Sequence, residues 1–194
     1  NKFEAYLAEI DELCVILHCD TNQSEQIIYT MNKELTIEDI QEIVAKDESR
    51  YLELKQTTGE LYKAMTSACA FLNTDGGWVM FGITPKLKIV GQNVTDPTRQ
   101  EIANALRKFE PAIDVPVQYI EIPEKEGFYV IAMYFNPHAP TQAPYTFDAR
   151  PYYKVENTTS IMPREMFEAR IRRSNPGMFS WEKLKCQIPL EEID

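Results

Sequence analysis

The chain has 194 residues, a formal charge of −10 at pH 7, 44% hydrophobic and 26% charged residues. That length buries one full hydrophobic core, and the composition excludes an intrinsically disordered chain; no apolar run approaches the roughly 18 residues that a membrane-spanning helix needs. The negative charge excludes a protein that binds nucleic acid over its whole surface, because backbone phosphates demand a local positive field.

Phe3, Leu7, Ile10, Cys14 and Leu17 recur at four- and three-residue steps, so residues 2–18 read as an amphipathic helix. Its stripe suits docking on the domain body or a homodimer seam. A further helical segment is expected around Gln26–Tyr29. Thr36 with Asp39 forms a capping-box pattern that opens a helix from Ile37 to about Ala45. From Tyr51 the period becomes two: Tyr51, Glu53 and Lys55 fall on one side, Leu52 and Leu54 on the other, as in a half-buried strand.

Residues 59–73 carry Leu61, Ala64, Met65, Ala68 and Leu72 at helical spacing. Asp75-Gly76-Gly77 ends that helix in a tight turn. The continuous apolar run Trp78–Ile83 predicts a central strand, with Leu87–Val90 as its hairpin partner. A helix is expected from about Pro97 to Phe109, with proline in its first turn. Strands are expected at Val117–Ile122 and Phe128–Phe135, then a proline-rich loop over Asn136–Pro144. Tyr152–Val155 reads as a last strand, Asn157–Ser160 as a turn, and Pro163–Arg173 as a closing helix.

The expected fold is therefore α/β (α+β), a mixed β-sheet of about five to six strands with flanking helices. The domain plan is a helical N-terminal extension over 1–35, a folded domain over 36–173, and a tail or linker over 174–194. Basic residues gather at Arg99, Arg107 and Lys108, and again at Arg150, Lys154, Arg164, Arg170, Arg172 and Arg173. The second group is the candidate phosphate-facing surface, and a solvated helix face with ion pairs is the alternative. Cys14, Cys19, Cys69 and Cys186 show no C-x-x-C spacing, which fits a reduced, cytoplasmic setting. No Walker loop, G-x-S-x-G elbow or dinucleotide fingerprint is present.

Three motifs occur in order: Glu48-Ser49 followed by Glu53-Leu54-Lys55; Asn73-Thr74-Asp75-Gly76-Gly77 running through an apolar strand to Gly82-Ile83; and Tyr152-Tyr153-Lys154-Val155-Glu156-Asn157-Thr158-Thr159. This order resembles the Schlafen/AlbA-like domain of bacterial transcriptional-regulator-like proteins, from Thr36 to Arg173. The resemblance implies a nucleic-acid-binding module, DNA or RNA undecided, with Lys55, Arg150, Lys154, Arg164, Arg172 and Arg173 as binding residues. It implies that Asn73, Asp75, Gly76 and Gly77 build a structural turn. It also implies that the tail leads to a further C-terminal region, as in longer regulators.

In nuclease members, the first-motif glutamates and a third carboxylate hold a divalent metal. Here Glu48 and Glu53 match two of them, as catalytic and metal-binding candidates with Mg²⁺ or Mn²⁺ under that alternative only. The acidic hairpin usual in the family reads Thr84-Pro85-Lys86-Leu87, without a carboxylate. Asp75 and Asp96 are the remaining substitutes. Lys154 stands where the family has arginine and Glu156 where it has glycine. The leading expectation is thus a non-catalytic module without cofactor, in which Lys55, the paired glycines and Lys154 share one concave face. A metal-dependent endoribonuclease and a protein-interaction or oligomerisation module are the alternatives.

Overall fold

The protein is described by a computed structural model over residues 34–45, 50–138 and 142–175. The expected helices over 2–18 and 26–29, the homodimer seam, Glu48 and the tail beyond Asn175 lie outside the described residues. Every described helix and strand belongs to the unit that begins at Thr36.

Helix α1 (Ile37–Ala45) starts where the capping pattern puts it. Asp39 accepts from the Thr36 amide at 2.8 Å and returns its own amide to the Thr36 hydroxyl at 3.3 Å. Strand β1 (Leu52–Lys55) follows, then a 3₁₀ turn (Thr58–Glu60) capped by Thr57 and helix α2 (Leu61–Leu72). The second half of α2 is enclosed on all sides: Ser67, Ala68, Cys69, Ala70, Phe71 and Leu72 are all buried. Small residues at Ala64, Ala68 and Ala70 allow that close packing.

Five strands form one mixed sheet in the order β1, β2 (Gly77–Phe81), β6 (Phe128–Phe135), β3 (Gln92–Asn93), with β5 (Gln118–Glu121) also on β6. β1 runs parallel to β2, and every other pairing is antiparallel. β2 and β5 both pair with Ile131 and Ala132, so they occupy opposite edges of β6. β2 is buried along its whole length, which its unbroken apolar run requires. Phe71, Phe81, Phe135 and Phe147 are among the largest fully buried side chains, each worth roughly 1.5–3 kcal/mol of transfer free energy.

The register places the charged side chains of β1. Glu53 pairs with Val79 and Lys55 with Phe81, while Leu52 and Leu54 pair with Trp78 and Met80. Registered residues share a face, and Val79 and Phe81 belong to the core built on α2. Glu53 and Lys55 therefore point toward the α2 layer from the sheet's edge.

Helix α3 (Asp96–Leu106) is opened by a reciprocal Thr95–Thr98 capping box and ends earlier than its sequence suggests. Phe109 instead belongs to β4 (Phe109–Glu110), which pairs with β7 (Thr146–Phe147). Pro111 disfavours helical backbone in the residue before it, so extended structure takes over there. Leu87–Val90 does not form a strand; one bridge joins Ile83 to Ile89, and β2 finds its partners in β1 and β6. Leu87 has a φ of 60°, which breaks the extended path. Thr158–Ser160, expected as a turn, lies in β9 (Thr158–Ile161), paired with β8 (Tyr152–Val155) around Glu156-Asn157. The β-branched threonines favour the strand, and Glu156 adopts the left-handed turn conformation at a φ of 51°. Helix α4 (Arg164–Ser174) closes the described fold.

An ideal Cβ on Gly77 would lie 2.7 Å from the Tyr51 carbonyl oxygen and 2.8 Å from the Phe71 ring. Neither can yield, one being backbone and the other core. Gly77→Ala is therefore expected to destabilise the domain by about 1–3 kcal/mol, read as a lower urea midpoint with unchanged slope.

Candidate functional site

The Asn73–Gly77 turn links α2 to β2 and is held by its side chains. Asn73 is buried, and its amide nitrogen donates to the carbonyls of Tyr145 and Tyr152, both at 2.8 Å. Its side-chain oxygen accepts from the Tyr145 amide at 2.8 Å. One side chain thus ties the end of α2 to β8 and to the segment before β7. The Thr74 hydroxyl donates to the Ala70 carbonyl, and Asp75 pairs with Arg50 at 2.6 Å. The Gly76 amide donates to the Phe71 carbonyl at 2.9 Å with a φ of 78°, a left-handed helix ending. Both glycines are buried, Gly76 against Pro137 and Phe135 and Gly77 against Tyr51 and Phe71, so they pack the turn and leave the exposed surface to other residues.

Beside this turn, β1 and β8 bring three charged groups together. Lys55 Nζ lies 2.8 Å from Glu53 Oε1, with both side chains about four-fifths buried. Lys154 is only 7% exposed, on the inward face of β8. Its Nζ sits 4.8 Å from the Phe71 ring centroid, a cation–π distance. Burial lowers the Lys154 pKa, the Glu53 charge opposes that shift, and the Lys55 charge adds to it. Among the described residues no carboxylate forms an ion pair with Lys154. Among the described residues, two ammonium groups and one carboxylate thus lie close together at this edge of the sheet.

The other basic candidates are spread more widely. On α4, Arg164 and Arg172 flank Glu168 at 2.6 and 3.4 Å, and Arg173 is exposed. Arg150 is exposed in the turn between β7 and β8. Arg170 Nη1 donates to the Asn73 main-chain carbonyl at 2.8 Å and docks α4 on the turn. In the sequence Arg170 is one basic residue among several, with no role of its own. No local signal could have found that role, since the contact spans 97 positions.

Among the described residues no three of His, Cys, Asp and Glu gather at ion-binding distance. Glu53 is the described member of the pair to which the resemblance assigns a metal, and its carboxylate is engaged by Lys55. Asp75 is engaged by Arg50, and Asp96 lies in the first turn of α3.

The chain matches the family model described as Schlafen, AlbA_2 over residues 48–163, more than half of its length. No curated protein matches it significantly. The crystal structure of the DIP2311 protein from Corynebacterium diphtheriae is similar at 20% identity with a TM-score of 0.42, covering 63% of this chain. The matched part is 24% of that chain, so the present sequence corresponds to about a quarter of it.

Removing the Asn73 amide would orphan a buried amide and two carbonyls, each costing roughly 1–3 kcal/mol. Asn73→Ala is expected to destabilise the domain by more than about 2 kcal/mol in urea denaturation. Lys154 gives a pH signature. Its folded-state pKa lies below that of the unfolded chain, so the unfolded state binds more protons and stability rises as pH climbs toward 10.5. Lys154→Met is expected to raise the thermal midpoint at neutral pH and to abolish that alkaline rise.

Proposed function

The chain belongs to the Schlafen, AlbA_2 family, and we propose that it is a nucleic-acid-binding module with a regulatory, non-catalytic role in the cytoplasm. One observation carries the reading: among the described residues, Lys55 and Lys154 gather beside Glu53 at a sheet edge of a chain whose formal charge is −10. An anionic protein that concentrates cations in one partly enclosed place lowers the free energy of an anion there. Backbone phosphate is the anion of a nucleic acid, and its neutralisation drives sequence-independent affinity.

Within this reading Lys55 is the contact residue, being the more exposed ammonium. Lys154 is a positioning residue whose buried charge raises the local potential. Arg172 and Arg173 add cations on α4, and Arg164, held closer to Glu168 than Arg172 is, contributes less. Arg150 supplies a separate contact. The endoribonuclease alternative would pair Glu48 with Glu53 around Mg²⁺ or Mn²⁺, and the metal would have to displace Lys55 from Glu53.

Labelled DNA and RNA titrated against the full chain at several salt concentrations test the reading. Each lost phosphate contact is expected to lower the salt slope by about 0.7–0.9. Lys55→Ala and the Arg172→Ala/Arg173→Ala pair should each weaken binding several-fold at low salt. Unchanged retention of both nucleic acids by both variants would remove the proposal. Mn²⁺-stimulated RNA cleavage that disappears in Glu53→Gln would replace it with the nuclease.

A further inference from the structure

The two basic groups that the sequence separates meet at the start of α2. The β4–β7 ladder pairs Phe109 with Phe147, and the Asp148 amide donates to the Lys108 carbonyl at 3.1 Å. This brings Arg107 and Lys108 beside the Asp148-Ala149 turn and Arg150. Tyr62 stands between them, 48% exposed. One side of its ring leans on buried Phe147, at 5.2 Å between centroids and 56° between planes. Its hydroxyl donates to Asp148 at 3.1 Å, and Lys108 Nζ lies 5.9 Å from the ring centroid. The Asp148 hydrogen bond raises the pKa of that hydroxyl, and the charge of Arg150 opposes the rise.

Each part has a physical consequence. Phe147 and Asp148 fix the half-exposed phenol ring at both ends, with the Lys108 ammonium over it, so ring and cation are held together without further loss of side-chain freedom. Arg107, Lys108 and Arg150 are all exposed, and they outnumber Asp148, the carboxylate that accepts from the phenol and keeps its charge. Asp148 and Ala149 both have left-handed backbone, at φ of 52° and 60°, which L-residues with a Cβ rarely adopt. The tight turn they make is what sets Arg150 beside Tyr62. A fixed, half-open aromatic ring flanked by exposed cations is the arrangement that stacks a base and neutralises the adjoining phosphates.

We propose that Tyr62, Lys108 and Arg150 form a binding site for single-stranded nucleic acid, in which an unpaired base stacks on Tyr62 and its phosphates meet Lys108 and Arg150. The site deepens the nucleic-acid reading above and rests on it, since it names an unpaired strand as the ligand. It is distinct from the Glu53–Lys55–Lys154 cluster. Tyr62 and Phe71 are nine positions apart on α2, which at 100° per residue puts them on opposite sides of the helix. A duplex base is already stacked on its neighbours and cannot use the ring.

Anisotropy titrations of the full chain with labelled oligouridylate, oligothymidylate and a duplex of equal length test this. Tyr62→Ala is expected to weaken single-strand binding about tenfold while leaving duplex binding unchanged. Tyr62→Phe keeps the ring and should bind near the wild-type level. Lys108→Ala should lower the salt slope for the single strand by about 0.7. If Tyr62→Ala and Lys108→Ala both bind single strands as the wild type does, while Lys55→Ala does not, the site is overturned and the wider reading stands. If the wild-type chain retains no nucleic acid, both fall. Should Tyr62→Ala not fold, an unchanged salt slope in Lys108→Ala overturns the site alone.

Discussion

The buried side-chain amide of Asn73 is the constraint on which the rest of the domain depends. It meets the Tyr145 and Tyr152 carbonyls and the Tyr145 amide from the end of α2. A buried polar group is tolerated only when its partners are all in place, so this side chain permits only one seating of β8 on α2. That seating puts Lys154 over Phe71 and next to Glu53 and Lys55. The same residue's main-chain carbonyl receives Arg170 and so fixes where α4 docks. The motif expected to build a structural turn is, in the fold, the joint between α2, β8 and α4.

Charge is distributed with the same economy. The chain is anionic as a whole, yet its described cations are not simply offset one by one. Some are engaged, such as Arg50 with Asp75 and Arg170 with a carbonyl. Lys154 is buried without an ion pair among the described residues, an arrangement that costs stability through desolvation. Arg107, Lys108 and Arg150 stand exposed around Tyr62. Cations are thus gathered on two sides of α2 in a chain whose net charge is −10.

Local patterning carried much of the architecture. The Thr36–Asp39 capping box marks where α1 starts, the alternation at Leu52 and Leu54 marks β1, and the apolar run after Gly77 marks a strand buried on both faces. Failures fell where local signals compete. Thr158–Ser160 is polar like a turn but β-branched like a strand, and pairing with β8 decided for the strand. β4 and β7 are two residues each, too short for periodicity to register, and they exist because each supplies the other's hydrogen bonds.

The candidate site divides along the same line. Sequence alone determined the family motifs, the elements that carry them and the fact that Glu53 and Lys55 share one side of a strand, because these depend on spacing along a single segment. Only the tertiary structure decided that Lys154 turns inward, that the glycines are packed away from the surface, and that Lys108 and Arg150 become neighbours of Tyr62. Those outcomes rest on contacts between residues tens of positions apart, such as Tyr62 with Asp148. Such pairings are set by how layers close over a shared core, and a one-dimensional pattern holds no record of the distance between two elements once they have packed.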